Sequence, residues 1–331
     1  MKILAYRFSA FGDVAMTAVV LREFLEQNPN VEIIMVSRAN FSPLFEGIDR
    51  LHFKGINLDE YKGFLGLRRL GNALLKEFQP DCIADLHDVI RTKFLRRYFK
   101  LKGIQVSVID KGKEDKKQLT DVWNLNKTQL KSTTERYADV LRALGFQVTL
   151  SHQYRVLAAD KSGIGFAPFA QHKGKMLPLE KSFELLKILS QYKKVYLFGG
   201  GKNEVEILSS WEQQLPNVES LAGKLSLKEE IEKITTLEVM ISMDSANMHL
   251  ASLAGTRCIS VWGATHHYAG FLGYGQSEAD IVSVEDLTCR PCSVFGDKPC
   301  YRGDYACLNE IDIHEVIKKV DIKKKSFLQL K

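Results

Sequence analysis

The chain has 331 residues, 45% of them hydrophobic and 26% charged, and a formal net charge of +6. That length suits two domains of ordinary size. The composition is that of a folded globular protein, which argues against a disordered or fibrous chain, and no apolar run reaches the ~18–20 residues of a bilayer-spanning helix.

The opening MKILAYRF reads as a first strand with no signal-peptide pattern ahead of it, so a cytoplasmic protein is expected. Lys2 to Phe8 forms that strand, Ser9 to Asp13 the turn after it, and Val14 to Gln27 a helix with a broad apolar face. Val31–Ser37 and the region around Leu51–Phe53 are further strands, Phe64–Phe78 is a helix, and Cys82–Leu86 is a strand after Pro80. A basic helix at about Thr92–Lys100 precedes a strand at Val106–Ile109. Asp110–Asn126, polar and charged, reads as a surface loop. Thr133 and Thr134 read as the caps of a helix through Leu144.

The alternation then repeats. Gly163–Ala167 is a strand, Leu179–Gln191 a helix, Lys194–Phe198 a strand ending in Gly199-Gly200-Gly201, and Glu204–Gln214 a helix. Val218–Ala222 and a Ser226-capped helix to Thr236 follow. Next come strand Val239–Met243, the turn Asp244-Ser245 with its capping side chains, helix Ala246–Ala254, the stop Gly255 and strand Cys258–Trp262. Asp312–Val320 is helical and leads to the basic run Lys323–Lys325. Strands alternating with helices imply α/β architecture with doubly wound parallel sheets. The expected division is a domain over 1–155, a second over 156–310, and a closing helix and tail over 311–331 placed back toward the first domain.

Charge is unevenly distributed. Residues 1–155 carry 25 Lys and Arg against 18 Asp and Glu, whereas residues 156–331 carry 21 against 22. The first half is therefore expected either to meet an anion or to present a solvated basic surface. In the helix from Arg91 to Lys100, cations alternate with apolar positions, which suits a phosphate or an anionic membrane surface as well as plain solvent; no nucleic-acid-binding motif accompanies it.

Five stretches could carry chemistry. In Arg7–Asp13, Gly12 allows a sharp turn and Asp13 sits at the helix start, either as an N-cap or as a carboxylate facing a cleft; no GxGxxG pattern supports a dinucleotide turn. Lys175 lies in the polar turn Pro168–Pro178, solvated or reaching a phosphate, and Gly174-Lys175 is not a Walker A loop. Gly199–Gly201 permits close approach of a ligand to backbone or simply makes a turn. The helix opening at Ser245-Ala246-Asn247 offers unpaired N–H groups and a positive dipole end to an anion. Cys289, Cys292, Cys300 and Cys307 could hold a structural zinc or remain reduced thiols.

Together these stretches resemble glycosyltransferase family 9, the bacterial heptosyltransferases of lipopolysaccharide core assembly, over nearly the whole chain. Arg7 to Val14 looks like the family's R-x-x-x-x-G-D-V, and Lys175–Pro178 like its K-x-W-P with Leu177 for Trp. Gly199 to Glu204 is similar to G-G-x-x-x-E, and Gly223–Leu227 to G-x-x-S-L. Asp244–Ala251 resembles D-S/T-G-x-x-H-L-A with Ala246 for Gly, and Gly263–Thr265 resembles G-P-T with Ala264 for Pro. The cysteines resemble the C-x-P-C…C…C tail of one branch.

The resemblance implies a GT-B fold of two Rossmann-like domains facing a central cleft. It also implies inverting transfer of heptose from ADP-L-glycero-β-D-manno-heptose to a Kdo–lipid A type acceptor at the inner face of the inner membrane. No cofactor, obligatory metal or nucleic acid is implied. Asp13 is then the expected general base, and Lys175 with the helix start the expected stabiliser of charge on the leaving ADP. Ser9, Gly12, Glu204, Leu225, Asp244, Ser245, Ala246, Asn247 and His249 are expected at the substrates, and Arg7, Arg91 and Lys93 at the acceptor. His249 has a packed-core alternative. The rival readings are a GT-B transferase using another nucleotide sugar and a non-catalytic two-lobed sugar-phosphate-binding protein.

Overall fold

The computed structural model describes residues 1–157 and 160–320; the basic run Lys323–Lys325 lies outside the described residues. The described residues divide into two compact units, one made of 1–112 and 131–152, the other of 113–130, 153–157 and 160–320.

In chain order the first unit contains β1 (Lys2–Tyr6), α1 (Phe11–Gln27), β2 (Glu32–Arg38), β3 (Leu51–Ile56), α2 (Gly63–Phe78), β4 (Cys82–Asp85), α3 (Ile90–Leu101) and β5 (Gln105–Val108). The chain then places α4 (Lys113–Leu119) in the second unit and returns for α5 (Thr133–Arg142). All five strands are parallel, in the order β3-β2-β1-β4-β5. β1 is central, so both of its faces are covered and, after the exposed Lys2, it reads as an apolar run, ILAY. On one face Leu4, Tyr6, Ile34 and Ile83 pack with Leu70 and Leu74 of α2 and Leu95 and Phe99 of α3.

The second unit contains β6 (Ile164–Ala167), α6 (Leu179–Ser190), β7 (Val195–Leu197), α7 (Lys202–Gln214), β8 (Val218–Ser220), α8 (Leu227–Thr235), β9 (Val239–Met243), α9 (Ala246–Leu253), β10 (Cys258–Val261), β11 (Ile281–Val282), α10 (Ala306–Asn309) and α11 (Ile313–Lys319). Its parallel sheet runs β11-β10-β9-β6-β7-β8. Its core gathers Phe166, Leu185, Leu197, Ile241 and Val261, and Val316 and Val320 of the closing segment join the same core. Each sheet is built outward from its first strand, so each has a topological switch point, between β1 and β4 and between β6 and β9. Ligands of doubly wound sheets bind at the carboxyl ends of such strand pairs.

Four local expectations are corrected. Residues 110–126 are not one loop: Lys113–Leu119 is helical because Leu119 is buried and Lys116, 8% exposed, sets its ammonium 4.2 Å from the Phe271 ring centre. Polarity in the sequence concealed that tertiary anchor. α5 is capped by Ser132, whose hydroxyl accepts from the Glu135 N–H at 3.1 Å, so Thr133 and Thr134 are already helical. Gly12 lies inside α1 and is not a positive-φ glycine; the turn is at Ser9–Ala10, joined by a cis peptide bond. Asp244 and Ser245 do not cap α9 through their side chains, which are drawn to other partners. Gly255 does stop α9, at φ +69°, where an added Cβ would stand 2.1 Å from the Arg155 carbonyl oxygen.

Candidate active site

In the first unit the switch point brings the chain after β1 against the chain after β4. Arg7 is 5% exposed, donates from Nη1 to the Leu86 carbonyl at 2.6 Å, and pairs through Nη2 with Asp13 Oδ2 at 2.8 Å. Its guanidinium also lies 5.5 Å from the centre of the buried Tyr137 ring. Asp13, two residues into α1, is therefore not an N-cap: its carboxylate points to the buried cation and keeps 25% of its side-chain surface exposed. The Tyr137 hydroxyl donates to the Asp13 carbonyl at 3.4 Å. Burial raises the Tyr137 phenol far above its ordinary range, with Asp13 adding to the rise against the opposing Arg7 charge.

His87, on the turn after β4, completes this group. Its Nδ1 accepts from the Phe8 N–H at 3.4 Å, so the neutral ring carries its proton on Nε2, 3.3 Å from Ser9 Oγ. Burial, then the Arg7 and Lys111 cations, push its pKa down to about 3, with Asp13 opposing. The turn itself is fixed by Asp85, wholly buried, whose Oδ1 accepts from the N–H groups of His87 and Asp88 at 3.0 and 2.9 Å.

In the second unit the same logic joins the chain after β6 to the chain after β9. Lys175 Nζ stands 2.9 Å from Asp244 Oδ2, and the Thr265 hydroxyl donates to that same oxygen at 2.8 Å. Asp244 is 4% exposed. The stem of Lys175 lies against Gly296 (φ +73°), where an added Cβ would meet its Cγ at 2.7 Å. Directly after Asp244, Ser245 turns its hydroxyl to Ser242 at 3.1 Å, so the first N–H groups of α9 receive no side-chain cap. Ser245, Ala246 and Asn247 are half-buried, while His249 is buried one turn further in. An ammonium beside an uncapped helix start is chemically suited to a phosphate or diphosphate.

The remaining expected residues are placed as follows. Glu204 turns back on its own loop and accepts from the Gly200 N–H at 2.8 Å. Leu225 is half-buried in the turn before α8. Arg91 and Lys93 are exposed near the start of α3. Cys289, Cys292, Cys300 and Cys307 are free thiols lining one small pocket, yet no three metal-ligating groups among the described residues stand within reach of one ion. Sequence reasoning missed His87 and Tyr137. Asp85-Leu86-His87-Asp88 directly follows a strand, but only the strand order reveals that it adjoins the turn after β1.

The family model for glycosyltransferase family 9 (heptosyltransferase) matches residues 82–299. Lipooligosaccharide heptosyltransferase 2 of Campylobacter jejuni subsp. jejuni is 25% identical over 97% of this chain and 98% of its own. Among solved structures, a glycosyl transferase family 9 protein from Veillonella parvula aligns with TM-score 0.72 at 17% identity, covering 97% of this chain and 96% of the other. ADP-heptose LPS heptosyltransferase II of E. coli aligns at 0.68 and 18%, covering 97% and 98%. The two Rossmann-like units thus share the GT-B fold of these structures.

Proposed function

The chain belongs to glycosyltransferase family 9, and from that premise we propose that it moves heptose from ADP-L-glycero-β-D-manno-heptose to an inner-core, Kdo–lipid A type acceptor of lipopolysaccharide, with inversion, working at the inner face of the inner membrane. The second unit takes the donor. Lys175 and the N–H groups at Ser245–Asn247 meet the diphosphate, and Asp244 orients Lys175 while leaving its other N–H donors for phosphate oxygens. Asp13 of the first unit is the general base. The acceptor hydroxyl forms a bond to the anomeric carbon as the bond to the diphosphate breaks; the proton passes to Asp13 and the electron pair leaves with ADP. Arg7 and Tyr137 position Asp13. Ser9 and the neutral His87 offer polar contacts to the acceptor, with Arg91 and Lys93 for its anionic groups.

The observation that carries the reading is the Lys175–Asp244 pair at 2.9 Å beside the uncapped start of α9. Asp13→Ala is the test: ADP release should fall by roughly 10²-fold or more while calorimetric binding of the donor stays near wild type. Turnover at the wild-type rate removes Asp13 from the role. Titration with ADP-heptose against UDP- and GDP-sugars tests the donor; tighter binding of either of the latter would overturn its assignment.

A further inference from the structure

α2 and α3 run side by side in the same direction, with the Phe64 and Phe94 rings 5.5 Å apart and Gly71 tucked against Tyr98. As crossover helices of a parallel sheet, both begin at its carboxyl edge, the edge that carries Asp13. Their first turns present apolar side chains that do not enter the core: Phe64 is 73% exposed, Leu65 77% and Ile90 85%. Behind these tips the charged residues are cationic as far as the last turn of α2, where Glu77 pairs with Lys54. Residues 63–76 and 90–101 hold eight Lys and Arg and no Asp or Glu, and among the described residues only Arg96 of the eight faces carboxylates, those of Asp85 and Asp88. The other seven are exposed.

Spacing sets the order of these groups. Arg68 follows Phe64, and Arg69 follows Leu65, by one turn on the same helix face; Arg97 follows Phe94 by one turn and Ile90 by two. Apolar tips followed by cations at one turn's depth match the layering of a leaflet, acyl chains beneath anionic headgroups. We infer that the starts of α2 and α3 form a docking surface for an anionic phospholipid bilayer, with Leu65, Phe64 and Ile90 entering the interface and Arg68 and Arg97 meeting lipid phosphates. This deepens the proposed function and rests on it for the lipid nature of the acceptor; the surface itself stands on the exposure and charge of its residues.

The test is flotation of the full chain with phosphatidylcholine vesicles, with and without phosphatidylglycerol. Binding is expected only with the anionic lipid and should weaken as salt rises. Arg68→Glu with Arg97→Glu should lower vesicle affinity by roughly tenfold or more, and Leu65→Asp with Ile90→Asp should abolish flotation, while a wild-type urea midpoint in both variants shows that the first unit, which holds all four residues, remains folded. Equal binding to neutral vesicles, wild-type flotation of either variant, tighter binding to a duplex oligonucleotide, or a dimer that Leu65→Asp with Ile90→Asp dissolves would overturn the inference. Flotation needs no heptosyl donor, so it can succeed where the transfer assignment fails, and the reverse.

Discussion

Lys175 carries its charge in a setting that fixes where the ammonium can go. Its stem is walled by Gly296 and its head is held by Asp244, which Thr265 steadies in turn. Removing the head should weaken ADP binding and turnover together, by roughly 10- to 100-fold, the span of a hydrogen bond to a charged group. Calorimetry of Lys175→Ala with ADP measures the first and steady-state ADP release the second; unchanged values in both would leave Lys175 without a part in the chemistry. Lys175 could be picked out from its place after a strand, and Asp13 likewise. What the sequence could not separate was cap from site residue. Asp is favoured at helix starts, and only the buried Arg7 guanidinium, from a different element, shows that this carboxylate is not spent on its own helix. The same holds for Glu204, which turned out to satisfy its own glycine loop.

Among elements, the strands and long helices were legible because buried parallel strands write themselves as apolar runs and half-exposed helices as amphipathic ones. The misread pieces are those whose stability comes from outside. α4 is polar but for Leu119, and its place depends on that buried side chain, on Lys116 over Phe271 and on the pairing of the Leu130 N–H with the Tyr268 carbonyl at 2.9 Å. α5 begins one residue after Ser132, whereas three hydroxyl residues in a row allowed a later start. Ser132→Ala should cost about 1 kcal/mol, read as a lower urea midpoint, while Thr133→Ala, which removes a buried hydroxyl with no hydrogen-bond partner among the described residues, should leave α5's cap untouched. An equal loss in both variants would show that Ser132 is not the cap. Strand order was the larger omission: no local pattern states that β4 adjoins β1, and without that, His87 had no reason to be connected with Asp13.

For the molecule as a whole, two histidines make acid a stress on both units. His87 in the first unit and His266 in the second have pKa values pushed down to about 3, chiefly by burial, with neighbouring cations assisting. An unfolded histidine gains its proton near pH 6.5. Between about pH 6.5 and pH 3 the unfolded chain therefore binds more protons, and stability falls as pH falls; above pH 6.5 the contribution is complete. Urea unfolding at pH 7 and pH 5 should show a loss that is roughly 1–2 kcal/mol smaller in His87→Gln than in the wild type. Identical losses would mean that His87 does not remain neutral in the folded unit.

The backbone passes between the units three times, after residues 112, 130 and 152, because 113–130 belongs with the later part of the chain. No single cut in the gene therefore yields two whole halves. A fragment ending at residue 152 would carry α4 without the Phe271 ring that anchors Lys116, and its complement would lose the Leu130 N–H that the Tyr268 carbonyl accepts. Chimeras that exchange one unit for that of a relative need three junctions, and the stretch from Lys113 to Leu130 must travel with the second unit.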